Sequence, residues 1–478
     1  MKEKIISVGI DIGTSTTQLV FSRLTIENTA TAFSIPKISI VEKEVIYKSR
    51  IYFTPLKSET EIDGELVREM IESEYVKAGI KSKDVDTGAV IITGETARKV
   101  NASLVLEKLS GLAGDFVVAT AGPDLESIIA GKGAGADLLS KAKRGVVVNL
   151  DIGGGTTNIS VFKDGEIIDT TCLDLGGRLI KIHPDSMKVE YISKKIKKLA
   201  ENMGVQIEVG EAITVDKING ITNRMSEIIE EVLGVKKATE DLNLILTTKD
   251  LKRNYDIQYI SFSGGVADCI YGEYSDENNL IYGDIGVFLG KSINKLGLPN
   301  KFIIYEPTET IRATVVGAGS HTTDISGSTI TFTNDIFPLK NIPILKLSSE
   351  DELLGYEELS KAIKEKISWF GLQNEKQQVA LALKGVKSIS FRELELLAQT
   401  IIGGMEEILS MDVPLVVIVE HDIAKALGQT IQRYLEYKKD IVCIDAVNVG
   451  NGDFIDIGKP LANGRVVPIV IKTLAFGY

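Results

Sequence analysis

Cysteine and histidine are both scarce in this sequence. Its 478 residues include only three of each. The cysteines form no C-x-x-C pair and lie far apart, at Cys172, Cys269 and Cys443. This spacing excludes a disulfide framework and argues against a cysteine-ligated zinc or iron–sulfur site within one subunit. The histidines are equally isolated, so they offer no cluster for a transition metal. We expect the cysteines to be reduced core residues.

An excess of basic residues and a long apolar run are also missing. Lys and Arg number 54 against 66 Asp and Glu, which gives a net charge of −12. Nonspecific binding to nucleic acid or anionic lipid needs a basic surface, so neither is expected. No run of about 18 apolar residues suggests a membrane-spanning helix, and the N-terminus enters a predicted strand without a long apolar segment. We therefore expect no nucleic-acid partner, no membrane association and a cytoplasmic location.

Two stretches of the sequence share one pattern. Residues 11–17 read Asp-Ile-Gly-Thr-Ser-Thr-Thr, and residues 151–157 read Asp-Ile-Gly-Gly-Gly-Thr-Thr. Apolar strands are predicted on both sides of each, so each stretch predicts a strand-turn-strand hairpin. Glycine lets backbone amides approach an anion, and the hydroxyls add donors to phosphate oxygens. An aspartate beside phosphate suits a hydrated Mg²⁺ that bridges to a nucleotide. We predict two hairpins that clamp ATP across a cleft.

Other interpretations of these glycine-rich stretches are weaker. A Walker-type P-loop or a Rossmann fingerprint needs a helix directly after the glycines, whereas strands follow both stretches here. One copy alone could be an ordinary β-turn. Two copies about 140 residues apart, with Asp-Ile-Gly at the same position relative to apolar strands, make that interpretation much weaker.

The rest of the chain extends this two-part pattern. A third glycine turn, with Gly264 and Gly265, follows a predicted strand at 258–262 and suits a backbone that lies flat against adenine or ribose. Residues 125–140 are predicted as one helix, and its many small residues imply very close backbone packing. The chain thus divides into two α/β halves at 1–144 and 145–300, each opened by a hairpin. Residues 301–478 predict a further α/β region.

Sequence strings outside the hairpins resemble the family of ethanolamine ammonia-lyase reactivating factors, within the actin, heat-shock-70 and sugar-kinase superfamily. They lie at 92–97, 118–126, 130–136, 312–319, 326–330 and 452–460. The resemblance implies duplicated ribonuclease-H-like halves of the actin-like ATPase type around a nucleotide cleft. It also implies a chaperone-like role that depends on ATP and Mg²⁺. Such a factor releases damaged cobalamin from ethanolamine ammonia-lyase, so that intact adenosylcobalamin can enter.

The resemblance also implies roles for particular residues. Asp11 and Asp151 would organise Mg²⁺, through water, together with the attacking water, and would be the catalytic residues of a slow ATPase. Gly264 and Gly265 would lie at the adenosine. Phosphate would be held by Gly13, Thr14, Ser15, Thr16, Gly153, Gly154, Gly155, Thr156 and Thr157. Glu95 is a candidate for a further catalytic group, although a role in capping the helix that follows it explains it equally well.

Two other functions on the same fold stay open at this point. A sugar or acid kinase needs the same ATP clamp plus a base near an acceptor hydroxyl. An actin-like filament protein would use ATP to control assembly. The sequence leaves open the oligomeric state, the surface that meets the lyase, and association with a bacterial microcompartment.

Overall fold

In the computed structural model of the protein, the described residues form three larger β-sheets and two two-stranded ribbons, with helices packed around them. The residues that the structure describes are 2–13, 16–28, 38–50, 52–58, 61–85, 87–92, 101, 104–105, 109, 115–120, 123–275, 278–307, 318–325, 331–332, 336–370, 377–386, 388–445, 447, 449–458 and 468–475. Thr14, Ser15 and Glu95 lie outside these residues, as do most of the family strings at 92–97, 312–319 and 326–330.

The first sheet contains the first predicted hairpin. Its strands run in the order β3-β2-β1-β7-β8, with β4 paired to β2. β1 is antiparallel to β2 and parallel to β7. Helix α1 spans Gly64–Ala78 and is capped by the Asp63 carboxylate, which accepts a hydrogen bond from the Leu66 N–H. The strands are β1 Lys2–Ile12, β2 Thr16–Asn28, β3 Ile38–Lys48, β4 Tyr52–Phe53, β7 Thr87–Ile92 and β8 Asp115–Thr120, with a small ribbon of β5 Leu56–Ser58 and β6 Glu61–Ile62.

The second sheet repeats this architecture around the second hairpin. Its order is β11-β10-β9-β14-β15, which is the third, second, first, fourth and fifth strand along the chain, and the first sheet has the same order when β4 at its side is left aside. The first strand is again antiparallel to the second and parallel to the fourth. The predicted pair of actin-like α/β halves is therefore confirmed. The strands are β9 Val146–Ile152, β10 Thr157–Lys163, β11 Glu166–Leu173, β14 Ile257–Ser263 and β15 Ile303–Ile304, with a ribbon of β12 Ile180–Ile182 and β13 Val189–Ile192.

The helices around the second sheet include one departure from the sequence prediction. The prediction of a single helix at 125–140 is wrong, because two helices are separated at Gly135, whose φ of 73° is left-handed. The predicted close packing is confirmed at Gly131, where a Cβ would lie 2.1 Å from Ser160 Oγ on β10. The helices are α2 Pro123–Gly133, α3 Ala136–Lys143, α4 Lys194–Asn202, α5 Val215–Val232, α6 Glu240–Ile245, α7 Ala267–Tyr271 and α8 Gly286–Asn294.

The third sheet belongs to the C-terminal region and is mixed. Its order is β16-β23-β22-β18-β19-β20-β21-β17, and β18 to β21 are consecutive parallel neighbours. The strands are β16 Ala318–Ile325, β17 Thr331–Phe332, β18 Leu339–Lys346, β19 Ala380–Leu383, β20 Leu415–Val419, β21 Ile441–Asp445, β22 Asp453–Ile457 and β23 Pro468–Ala475. The helices are α9 Tyr356–Ile367, α10 Phe391–Gly404, α11 Glu406–Leu409 and α12 Ala424–Tyr434.

The C-terminal region packs directly against the second half. One apolar core contains Leu125 and Ile128 of α2, Phe162 of β10, and Leu345 and Val417 of the third sheet. The domain boundaries at 144/145 and 300/301 stay a prediction. α2 and α3 precede the first boundary but pack on the second sheet, and β15 of that sheet lies beyond residue 300.

Three observations bear on the expectations from composition. The three cysteines are buried, as expected of core residues, and none of them forms a disulfide. Within the described ranges, no helix is long and apolar enough to cross a membrane. The same residues contain no group of three or more His, Cys, Asp or Glu side chains arranged to hold a metal ion directly.

Candidate nucleotide cleft

The two predicted hairpins have the same strand register. In the first, Asp11 lies opposite Gln18. In the second, Asp151 lies opposite Asn158, so every paired position is shifted by 140 residues. Both aspartates are largely buried, with 8% and 7% of their surface exposed. The repeated sequence pattern thus corresponds to a repeated backbone geometry.

The hairpin turns are closed and supported in matching ways. The Gly13 N–H donates to the carbonyl three residues later at 2.8 Å, and the Gly153 N–H does so at 2.9 Å. The carbonyl of each of these glycines is then held by a second segment. Thr54 Oγ1 donates to the Gly13 carbonyl at 2.8 Å, and the Gly177 N–H donates to the Gly153 carbonyl at 3.0 Å. With the carbonyls engaged, the turns are fixed in shape.

The second aspartate is held by a chain of buried polar side chains. The Ser261 hydroxyl donates to Asn149 Oδ1 at 2.9 Å, and Asn149 Nδ2 donates to Ser263 Oγ at 3.0 Å. The Ser263 hydroxyl in turn donates to Asp151 Oδ1 at 2.6 Å. Neither serine nor the asparagine is accessible to solvent. The chain fixes one carboxylate oxygen of Asp151 and leaves the other for a different partner.

Burial dominates the electrostatics of this aspartate. It raises the pKa of Asp151 to about 6, and the hydrogen bond from Ser263 acts in the opposite direction. A divalent cation nearby would favour the carboxylate form. Asn158, which lies opposite Asp151 on β10, is 2% exposed, and its Oδ1 has no hydrogen-bond partner among the described residues. A buried acceptor without a donor is costly, so this atom suits a bound water or ligand donor.

The backbone around the second turn is shaped for close approach. A Cβ on Gly264 would lie 2.5 Å from the Ile152 carbonyl oxygen, and Gly264 has a φ of 84°. A Cβ on Gly176 would lie 2.6 Å from the Gly154 carbonyl carbon. Within the described part of the chain, the N–H groups of Gly154 and Gly155 donate no hydrogen bond. Free amides in a glycine turn form an anion-binding concavity, so these residues fit a phosphate.

One side-chain contact joins the two halves beside their hairpins. Arg178 follows the glycines that support the second turn, and its N–H donates to the Gly154 carbonyl at 2.7 Å. Its guanidinium carbon lies 4.5 Å from the ring centroid of Phe53. Phe53 pairs with Thr16, the first residue after the turn of the first hairpin. The two turns therefore belong to segments that meet in space.

The structure brings together most of the predicted residues of the second half. Gly153 to Thr157 form one turn, and the turn containing Gly264 lies against its base, where the Val266 N–H donates to the Ile152 carbonyl at 3.0 Å. Gly265 is exposed next to it. In the first half, Asp11 lies near the end of β1, Gly13 in the turn and Thr16 at the start of β2. Binding of nucleotide or metal at these residues stays a prediction.

Sequence reasoning missed five polar residues of this region, which are Asn149, Asn158, Arg178, Ser261 and Ser263. Residues two apart on a strand point to the same face. The pairs Asn149/Asp151 and Ser261/Ser263 have this spacing on two strands predicted to be buried, and buried polar side chains on one face require partners. That signal was available. Nothing in the sequence pointed to Arg178.

Comparison with known proteins assigns the family. A profile of the family described as "Ethanolamine utilisation protein EutA" matches residues 3–477. The chain belongs to the EutA family. Among curated EutA proteins, it is 35% identical over 476 residues to "Ethanolamine ammonia-lyase reactivase EutA" of Escherichia coli K12. It is 34% identical over 477 residues to the protein of the same name from Salmonella typhimurium LT2. Both alignments cover 99% of each chain.

Solved structures resemble this EutA family member only distantly. A member of the Ppx/GppA family from Aquifex aeolicus has a TM-score of 0.35 and 16% identity, covering 66% of this chain and 97% of its own. The ethanolamine utilisation protein EutJ from Carboxydothermus hydrogenoformans has a TM-score of 0.33 and 16% identity, covering 66% and 88%. The fold is therefore assigned from the strand order that the two halves share, and not from these structures.

Proposed function

We propose that this protein is an ATP- and Mg²⁺-dependent reactivating factor for adenosylcobalamin-dependent ethanolamine ammonia-lyase. In this role it opens the lyase so that damaged cobalamin leaves and intact adenosylcobalamin enters. ATP lies between the two hairpins, and its hydrolysis is slow and changes the relative position of the halves. Asp11 and Asp151 hold a hydrated Mg²⁺ and the attacking water.

The observation that carries this proposal is the identical register of the two Asp-Ile-Gly hairpins in a member of the EutA family. The two curated relatives are named as reactivases of the lyase, which supports the same partner here. Magnesium would supply positive charge that offsets the phosphate oxygens. The chain's own contribution is to present glycine amides to phosphate, to orient Asp151 through Ser263, and to keep both carboxylates largely buried.

A rescue assay tests the proposal directly. Ethanolamine ammonia-lyase is inactivated by turnover or with cyanocobalamin, and then receives this protein, ATP, Mg²⁺ and fresh adenosylcobalamin. We expect lyase activity to return only when ATP and Mg²⁺ are both present. Asp11→Asn and Asp151→Asn should fold normally but fail to rescue. No recovery with the wild-type protein would refute the proposal, and full rescue by either variant would refute the metal assignment.

The two alternatives give different results with the protein alone. ATP consumption that rises strongly when a sugar or carboxylic acid is added would favour a small-molecule kinase. Pelleting in the ultracentrifuge only with ATP would favour a filament protein. The reactivating factor should do neither. We further propose that the protein acts in the cytoplasm. Fractionation of cells that form a bacterial microcompartment containing the lyase would show whether the protein co-purifies with that compartment.

A further inference from the structure

Arg178 makes contacts in three directions. Its N–H donates to the Gly154 carbonyl in the turn of the second hairpin. Its Nε donates to Asp284 Oδ2 at 3.0 Å, directly before helix α8. Its guanidinium group lies over the ring of Phe53, which belongs to the first half. One side chain and its backbone thus connect the proposed phosphate turn, a helix of the second half and the facing half.

The connection from the second turn to α8 is tightly packed. A Cβ on Gly177 would lie 3.0 Å from the Gly286 Cα, so this glycine permits the close approach. The Ile285 N–H donates to the Gly177 carbonyl at 3.0 Å. Asp284 Oδ1 accepts from the Gly286 N–H at 2.9 Å. Because so little space is left, a shift of the second turn must move Arg178 and the start of α8 together.

The contact with Phe53 differs from the other two because it crosses between the halves. Phe53 is exposed, with 67% of its surface accessible to solvent, whereas only 17% of the Arg178 side chain is exposed. Gly154 and Asp284 both lie in the second half, so they stay with Arg178 whatever the angle between the halves. Of these three contacts, a rotation that opened the cleft would break the one with Phe53. The stack is therefore specific to the closed arrangement.

We propose that Arg178 is a positioning residue that couples the second hairpin to closure of the cleft, with Phe53 as its partner on the first half. This inference rests on the proposed function, in which ATP is bound between the hairpins. A ligand shifts a conformational equilibrium only through interactions that differ between the two states. The stack exists only in the closed state, so it adds to the stability of the state in which both hairpins reach one nucleotide.

The first test removes the aromatic ring and leaves the charge network intact. Phe53→Leu keeps an apolar side chain but cannot form the cation–π contact. Because Phe53 is exposed, the variant should keep the wild-type fold, which thermal denaturation verifies. We expect about fivefold weaker binding of the fluorescent nucleotide mant-ATP with Mg²⁺, the size of a partly exposed cation–π contact. Leu56→Ser, at another exposed apolar position of the first half, is the matched control and should bind like the wild type.

A second variant tests whether the effect runs through Arg178. Arg178→Gln keeps a hydrogen-bond donor for Asp284 but loses the positive charge that lies over the ring. In a double-mutant cycle, Phe53→Leu should weaken mant-ATP binding about fivefold in the wild-type background and have almost no further effect beside Arg178→Gln. Small-angle scattering with and without a non-hydrolysable ATP analogue should show compaction of the wild type and reduced compaction of both variants.

The outcomes separate this inference from the proposed function. Wild-type binding and compaction, together with variants that behave like the wild type or combine additively, would overturn the coupling role and leave the reactivating function standing. Lack of nucleotide binding by the wild type would overturn both.

Discussion

The two hairpins have the same strand register but differ in the side chains at the positions around their aspartates. Around Asp151, the neighbouring positions are Asn149 on the same strand and Ser261 and Ser263 on the paired parallel strand. The corresponding positions around Asp11 are Gly9, Ala89 and Ile91, which carry no polar side chain. The repeated register provides two similar turns, and the different side chains give each aspartate a distinct electrostatic setting.

The largest effect should come from the glycine turn that follows β14 in the second half. Gly264→Ala would place a Cβ 2.5 Å from the Ile152 carbonyl oxygen at a φ of 84°. We expect the free energy of unfolding to fall by at least about 3 kcal/mol in urea denaturation, because strain and steric overlap add. Gly220→Ala is the control, since a Cβ there meets no atom within 4 Å; it should be neutral or stabilise by up to about 1 kcal/mol. Equal effects of the two variants would contradict the assigned packing.

The next effect is a pH dependence that Asp151 gives the second hairpin. Burial raises the pKa of Asp151 from its ordinary 3.8 to about 6, so the native state holds this proton more tightly than the unfolded chain does. The resulting stabilisation is present in full below about pH 4 and is lost as pH rises through about 6, up to about 3 kcal/mol in all. Urea denaturation from pH 4 to 7, without nucleotide or Mg²⁺, should show this contribution as the difference between wild type and Asp151→Asn. A constant difference across that range would refute it.

A smaller effect is expected from breaking the polar chain next to the aspartate. Ser263→Ala removes the donor to Asp151 and the acceptor of Asn149 Nδ2. We expect unfolding to become easier by about 1–2 kcal/mol, because a buried amide is left unsatisfied. Affinity for mant-ATP with Mg²⁺ should also fall, since Asp151 loses its fixed orientation. Ser263→Thr, which keeps the hydroxyl, should restore much of that affinity; failure to do so would weaken the orienting role.

The smallest effect should come from Ser261, which is the residue farthest from Asp151 in this series of hydrogen bonds. Ser261→Ala removes the donor to Asn149 but leaves the Asn149–Ser263–Asp151 contacts in place. We expect a change of about 1 kcal/mol in the free energy of unfolding, and less loss of nucleotide affinity than in Ser263→Ala. A loss of affinity equal to or larger than that of Ser263→Ala would contradict the expectation that the effect decreases with distance from Asp151 along these hydrogen bonds.

The sequence predicted the repeated elements well because local chemistry determines them. Asp-Ile-Gly between apolar strands predicted both hairpins. The helix break at Gly135 was missed, because composition does not distinguish a glycine inside a helix from a glycine with a left-handed backbone. Arg178 was missed because its three contacts come from segments more than 100 residues apart along the chain, and strand and helix periodicity contain no information about such meetings.

Calorimetric titration with ATP and Mg²⁺ tests the central claim, that the two hairpins form one nucleotide clamp. We expect the wild type to bind one ATP per chain, and we expect Asp11→Asn and Asp151→Asn each to weaken this binding strongly, although the two substitutions lie in different halves. Unchanged binding in both variants, or weakening by only one of them, would contradict a clamp built from both hairpins.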